Sequence, residues 1–189
     1  MRLSCILASL IAILVLSRNI AHDNHGSDDE SQTLIKACGT HHPTDEEIAL
    51  TNGAIESWNT SPQARRMPIH TTVPTYFHSI TDDLIGVITD SEIEESINVL
   101  NAVFAGKFIF QLEKVTITNN KQWYHNRRYE NQMKRQLREG ECNALNIYST
   151  SGHGVAGYAT FPSLCSAGHK IYDGVVINSR TKPGGDLFL

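Results

Sequence analysis

The sequence has 189 residues and a formal net charge of −4, with 16 Lys and Arg against 20 Asp and Glu. A mildly acidic chain without a basic stripe argues against nucleic acid as a partner. Its length suits one domain with a real core. Beyond the N-terminal run, no stretch is long and apolar enough to span a bilayer.

Met1 and Arg2 give a short positive start, and Cys5 to Leu16 is an almost unbroken apolar run. At about twelve residues it fits the h-region of a signal peptide and is short for a membrane span. Val15 and Ser17 fit the small-residue rule for a cut after Ser17; a cut after Ala21 puts Asn19 at the third position back. We expect residues 1–21 to be a signal peptide and the product to be secreted, extracellular and free of the membrane after its removal. Removing residues 1–21 deletes Arg2 and Arg18 and no acid, which moves the net charge from −4 to −6.

Cys38, Cys142 and Cys165 then remain, an odd number in a chain bound for an oxidising compartment. One pair and one leftover is the natural arithmetic. Cys142 and Cys165 are close in sequence, and a bridge there would contribute on the order of 3 kcal/mol. Cys38 is then the spare thiol.

Residues 22–66 read as a pro-segment, partly disordered, since residues 22–33 are polar and acidic with no period. His22 and His25 are a loose, solvated pair. Thr44 and Glu47 have capping-box spacing ahead of a helix over Asp45 to Trp58. Asn59-Thr60-Ser61 is a glycosylation acceptor weakened by Pro62. Arg65-Arg66, in a Pro/Ser/Gln-rich setting, is a candidate processing site.

From Met67 the texture becomes globular. Residues 70–80 alternate and are rich in β-branched and aromatic side chains, a strand in which His70 and His78 are ordinary sheet residues. Thr89 and Glu92 repeat the capping-box spacing, and Ile93, Ile97, Leu100 and Phe104 mark one helical face that Gly106 ends. Residues 108–119 alternate from Phe108, then shift phase toward Val115 and Ile117, which predicts a bulge or twist. Tyr129, Met133 and Leu137 mark the next helix, with Lys134, Arg135 and Arg138 as its wet face. Residues 144–150, 156–162 and 173–178 read as three more strands, the middle one an edge strand ended by Pro162. Strand–helix–strand units predict a mostly parallel sheet, and there is no internal repeat.

Self-contained chemistry is scarce. There is no G-x-S-x-G elbow, phosphate loop, dinucleotide fingerprint or C-x-x-C. None of the nine histidines pair at i, i+4 on a predicted helix. His41 and His42 are adjacent, so their side chains diverge, and His153 and His169 fall in loops. A metal site assembled from Cys38, His41, His42 and loop histidines is the weakest of the readings.

Several segments do resemble a family in their order and spacing, from about residue 38 to 185. They are CGTHHPT, IHTTVPTYFHSI, ITDSEIEESINVLNAVFAG, FIFQLEKVTITNNKQWY, MKRQLREGECNALNIY and LNIYSTSGHGVAGYATFPS, then DGVVINS and PGG. Together they look like the secreted pappalysin-type metzincin zinc metalloproteases, especially the smaller fungal and microbial members. The resemblance implies an α/β (α+β, zincin-like) fold, in which residues 67–189 form the N-terminal part of a catalytic domain: a twisted mixed five-stranded sheet with two backing helices. It implies an edge strand, Gly157, Tyr158, Ala159, Thr160 and Phe161, that holds an extended peptide or protein substrate by strand addition. It implies that Cys38 can place a thiolate on zinc, at about 2.3 Å, and block the enzyme, with Arg65-Arg66 as the activation cut.

After the PGG turn the family continues to H-E-x-x-H-x-x-G-x-x-H, whose histidines hold zinc and whose glutamate is the general base. No H-E-x-x-H occurs in the 189 residues. The expectation is therefore a chain inactive by itself and holding no zinc alone, with an uncovered apolar sheet face open to self-association. The other reading is a short secreted binding module that pairs through that face or the edge strand.

Overall fold

The alternation over residues 70–80 produces strand β2, Thr71–Thr81, in the computed structural model, which describes residues 36–60, 71–160 and 171–187. The signal-peptide reading, His22, His25, Arg65, Arg66, His70, Phe161, Pro162, Cys165 and His169 lie outside the described residues. The elements in chain order are β1 (Lys36–Cys38), α1 (Asp45–Asn59), β2, α2 (Asp90–Val103), β3 (Phe108–Asn119), α3 (Lys121–His125), α4 (Glu130–Leu137), β4 (Leu145–Thr150), β5 (Val155–Ala159) and β6 (Val175–Asn178). Each strand and helix expected from periodicity is present; β1 and the short α3 are additions.

Local chemistry sets the helix starts. Thr89 accepts from the Glu92 amide at 3.4 Å, while the Glu92 carboxylate accepts from the Thr89 amide at 2.8 Å. This reciprocal cap satisfies two of the four orphan amides at the start of α2. Thr44 and Glu47 repeat it on α1, with the Glu47 carboxylate 2.8 Å from the Thr44 amide. Among the described residues α1 shares no extensive contact with another element.

The strands form one mixed sheet in the order β1-β5-β6-β4-β2-β3. Strand β2 is parallel to β3 and to β4, and β4 is parallel to β6. Among the described strands only β5 and β6 pair antiparallel. The five expected strands are all there, and β1 adds a sixth, parallel to β5. The phase shift in β3 is a bulge: Thr75 pairs with Leu112 and Tyr76 with Lys114, so Glu113 is the extra residue.

Side chains of alternate register cover the two faces. On one face Ile93, Ile97 and Leu100 of α2 pack against Val73, Phe77, Phe110, Leu145, Ile147 and Val175. On the other, Trp123 and Tyr124 of α3 and Met133 of α4 pack against Ile80, Tyr148, Tyr158 and Val176. Burying each large apolar side chain is worth about 2 kcal/mol, so both faces anchor the sheet.

One expectation fails here. Lys134 is not on a wet face: it is 1% exposed. Its ammonium lies 2.8 Å from Glu130 and donates to the Tyr172 carbonyl at 2.9 Å. Arg138 turns back to donate to the carbonyls of Glu139, Gly140 and Glu141; Arg135 is exposed as expected.

Candidate peptide-binding edge and its pro-segment strand

A strand that turns back against parallel neighbours needs a tight entry. Gly152, His153 and Gly154 supply it, with φ of 70°, 53° and 88° in succession. Glycine takes this left-handed region without cost, whereas a histidine there is strained. The turn is stapled from behind: the Ser151 hydroxyl donates to the Tyr124 carbonyl at 2.7 Å, and the Asn178 amide donates to the Ser151 carbonyl at 2.8 Å.

Beyond the turn, Gly157, Tyr158 and Ala159 pair with Ile177, Val176 and Val175 of β6. Thr160 follows the strand and donates toward the Tyr172 carbonyl at 3.4 Å. Of the five residues assigned to an edge strand, Gly157, Tyr158 and Ala159 are in β5, Thr160 follows it, and Phe161 lies outside the described residues.

The outer side of β5 is already taken. Lys36 lies opposite Val155 and Cys38 opposite Gly157. The Gly39 amide donates to the Gly157 carbonyl at 2.9 Å, and the Ala159 amide donates to the Thr40 hydroxyl at 3.1 Å. Close approach explains the glycine here. A Cβ at Gly39 would sit 2.8 Å from a methyl of Val155. Sequence reasoning placed Cys38 in a pro-segment but missed the strand, because three residues carry no period.

Behind β5 lies a charged brace. The Tyr158 hydroxyl donates to Glu130 at 2.9 Å and sits 3.1 Å from His153 Nδ1. The Arg127 guanidinium stacks over the Tyr158 ring at 4.1 Å. Burial, then the Glu130 charge, pushes the Tyr158 phenol well above its ordinary range. Burial works to raise the Glu130 carboxyl, but Lys134, Tyr158 and Arg127 outweigh it and hold the group below its usual value. Burial lowers the His153 imidazole, against a backbone contact at Trp123 and the Glu130 charge, which favour the protonated ring. A cavity of ≈ 250 Å³ separates this brace from the N-terminal residues; Gly39, Thr40, His41 and Glu47 line one side, Arg127, Glu130, Tyr158 and Asp173 the other.

The remaining predicted residues are dispersed. Cys38 is a half-buried free thiol, and Cys142 is not free. Asn59 is exposed at the last position of α1. His78 is buried in the sheet, with Nδ1 2.8 Å from the Thr116 hydroxyl and Nε2 3.0 Å from Asn146. His41 pairs with Glu47 at 3.3 Å. Beside β6 an apolar groove of ≈ 70 Å³ lies between Val99 and Leu100 on α2, Ile177 in β6 and Pro183 beyond it.

Zinc is the metal the resemblance implies. Among the described residues no three His, Cys, Asp or Glu come together in a group that could hold a metal. Among the described residues these donors do not make a zinc site.

No protein-family model matches the sequence. The chain is similar to an extracellular metalloprotease of Verticillium alfalfae, 32% identical over 164 residues that cover 83% of this chain and 59% of that protein. It is 38% identical to an extracellular metalloprotease of Colletotrichum graminicola over 157 residues, 78% of this chain and 56% of the relative. The chain thus spans a little over half the length of these relatives. A promirolysin mutant of Tannerella forsythia superposes with a TM-score of 0.53 at 22% identity, over 78% of this chain and 61% of that one. The shared architecture is the zincin-like fold. Among the described residues no helix is long and apolar enough to cross a membrane.

Proposed function

We propose that these 189 residues are the pro-segment and the peptide-holding sheet of a secreted zinc metalloendopeptidase of the pappalysin type. Residues 1–21 address it to the extracellular space, residues 22–66 keep it latent, and residues 67–189 begin the catalytic domain. The observation that supports this reading most is the seat of β1 on β5. The strand that would receive an extended substrate is filled by the chain's own Lys36–Cys38. Cys38 would carry the blocking thiolate to zinc, and a cut at Arg65-Arg66 would free β5. Asn59 would carry a glycan, and Cys142 would pair with Cys165.

Peptide hydrolysis needs zinc ligands and a general base, and no H-E-x-x-H occurs here. These residues contribute substrate binding and latency, and by themselves do not hydrolyse peptides. The groove beside β6 supports a second reading, a short secreted module that binds an apolar partner there.

Intact mass and zinc content of the product secreted by its native source decide between them. A species much larger than 189 residues with stoichiometric zinc fits the protease. A soluble species of this length without zinc overturns it and leaves the binding module.

A further inference from the structure

The far side of the sheet, away from β5, ends in β3, and its two halves are treated differently. In a strand, backbone groups of successive residues point alternately to the two sides. Before the bulge, the Phe110 amide and carbonyl face outward, and Asn101 of α2 satisfies both, at 2.7 and 3.0 Å. After the bulge, the Asn120 amide turns inward to the Thr81 carbonyl at 2.9 Å. Alternation then points the backbone groups of Val115, Ile117 and Asn119 outward. Among the described residues nothing hydrogen-bonds them.

This bare half has no side-chain guard. Val115 to Asn120 reads VTITNN, β-branched, uncharged and without Pro or Gly, which is the composition of a strand that recruits another. Ile117 is 66% exposed. The adjoining turn, hydrogen-bonded to Asn119 through Asp83, adds Leu84 at 89% and Ile85 at 57% exposure.

We infer that this half-strand is the contact between two copies of the chain, paired antiparallel about a two-fold axis at Ile117. In that register each outward residue meets an outward residue: Ile117 faces its own copy, and Val115 faces Asn119. Thr116 faces Thr118, a favourable cross-strand pair. Beyond the neutral run, the exposed Glu113 of one copy comes toward Lys121 of the other, whose ammonium also lies 3.2 Å from its own Asp82, at both ends. A parallel pairing would set like charges together. Charge therefore selects an antiparallel, isologous contact. The two six-stranded sheets become one, with both β1 strands at its outer ends, so the pairing lies at the opposite end of each sheet from β5.

The test is sedimentation velocity on the purified secreted chain up to about 100 μM. A dimer is expected, and Ile117→Lys, which places two like charges on the axis, should weaken it by about tenfold or more. Ile109→Lys, at an exposed position on the guarded half of the same strand, should leave it intact. Circular dichroism checks that each variant is folded. Because opposed side chains on paired strands lie about 5 Å apart, Ile117→Cys in a Cys38→Ser background should form a disulfide-linked dimer under mild oxidation, and Ile109→Cys should not. A chain that stays monomeric at the highest concentration overturns the inference. So does a dimer that Ile117→Lys leaves unchanged and that Ile117→Cys fails to cross-link; its contact would then lie elsewhere, as on the groove beside α2.

Discussion

A buried lysine is costly unless its charge is met, and Lys134 is met twice, by Glu130 and by the Tyr172 carbonyl. Lys134→Met removes one partner of a buried pair and should cost about 3 kcal/mol in urea unfolding. Adding Glu130→Gln should recover part of that loss, since an unpaired carboxylate no longer remains. His78 makes a second residue-scale prediction. Burial holds its imidazole below the ordinary 6.5, against the hydrogen bond that the ring donates to the Asn146 side-chain oxygen, which favours the charged form. Below pH 6.5 the unfolded chain therefore binds the proton that the folded chain refuses. The stability it contributes is present above pH 6.5 and is lost as pH falls toward the folded value. His153, lowered in the same direction, adds to the slope. Unfolding free energy measured between about pH 7 and 5 should fall less steeply in His78→Gln than in the natural chain.

Element boundaries come from caps and periods, and that is why most were legible in the sequence. The α2 cap could be read from Thr89 and Glu92 alone, and the β3 bulge from the shift between Leu112 and Val115. Other features were set at long range. Strand β1 is three residues whose partner lies more than a hundred positions away, so no local pattern marks it. Lys134 sits four residues after Glu130, a spacing that usually means a surface pair. Its burial depends on Tyr148 and Tyr172, which other elements bring. Within α2, Glu92 carries two duties: it closes the cap and pairs with Lys182 at 2.7 Å, which fastens the turn after β6 to the helix. Lys182 and the Thr89 amide pull its carboxyl down from 4.5 to about 2. Its contribution is therefore present above pH 4.5 and lost as pH falls toward 2. Glu92→Gln should cost about 1 kcal/mol at neutral pH, and the cost should shrink when unfolding is repeated in acid.

At the scale of the molecule, the sheet has a polar brace behind one end and a bare strand at the other. The brace predicts how β5 is held. Tyr158→Phe keeps the packed ring and removes the hydroxyl that joins Glu130 to His153. Loss of one such bond to a charged group should cost about 2 kcal/mol. Amide exchange should rise first at β5 and at the Gly152–Gly154 turn, and exchange unchanged there would refute the brace. The sequence announced the strand but not the brace. Arg127, Glu130 and Tyr158 have ordinary spacing and meet only because the turn leading into α4 packs against Tyr158 of β5.

The pairing of β1 with β5 also imposes an order in time. Thr40 and Ala159, which hydrogen-bond across it, are 119 residues apart. At a synthesis rate of about 5–20 residues per second, the second arrives on the order of ten seconds after the first. The first strand of the sheet to be made is thus the last to be seated. Until β5 and β6 have paired, Lys36–Cys38 has no strand to join and Cys38 stays unhoused. The sheet has to assemble without its outermost strand. A chain that lost residues 36–40 should therefore reach its core at an unchanged rate and differ only in what then occupies the edge.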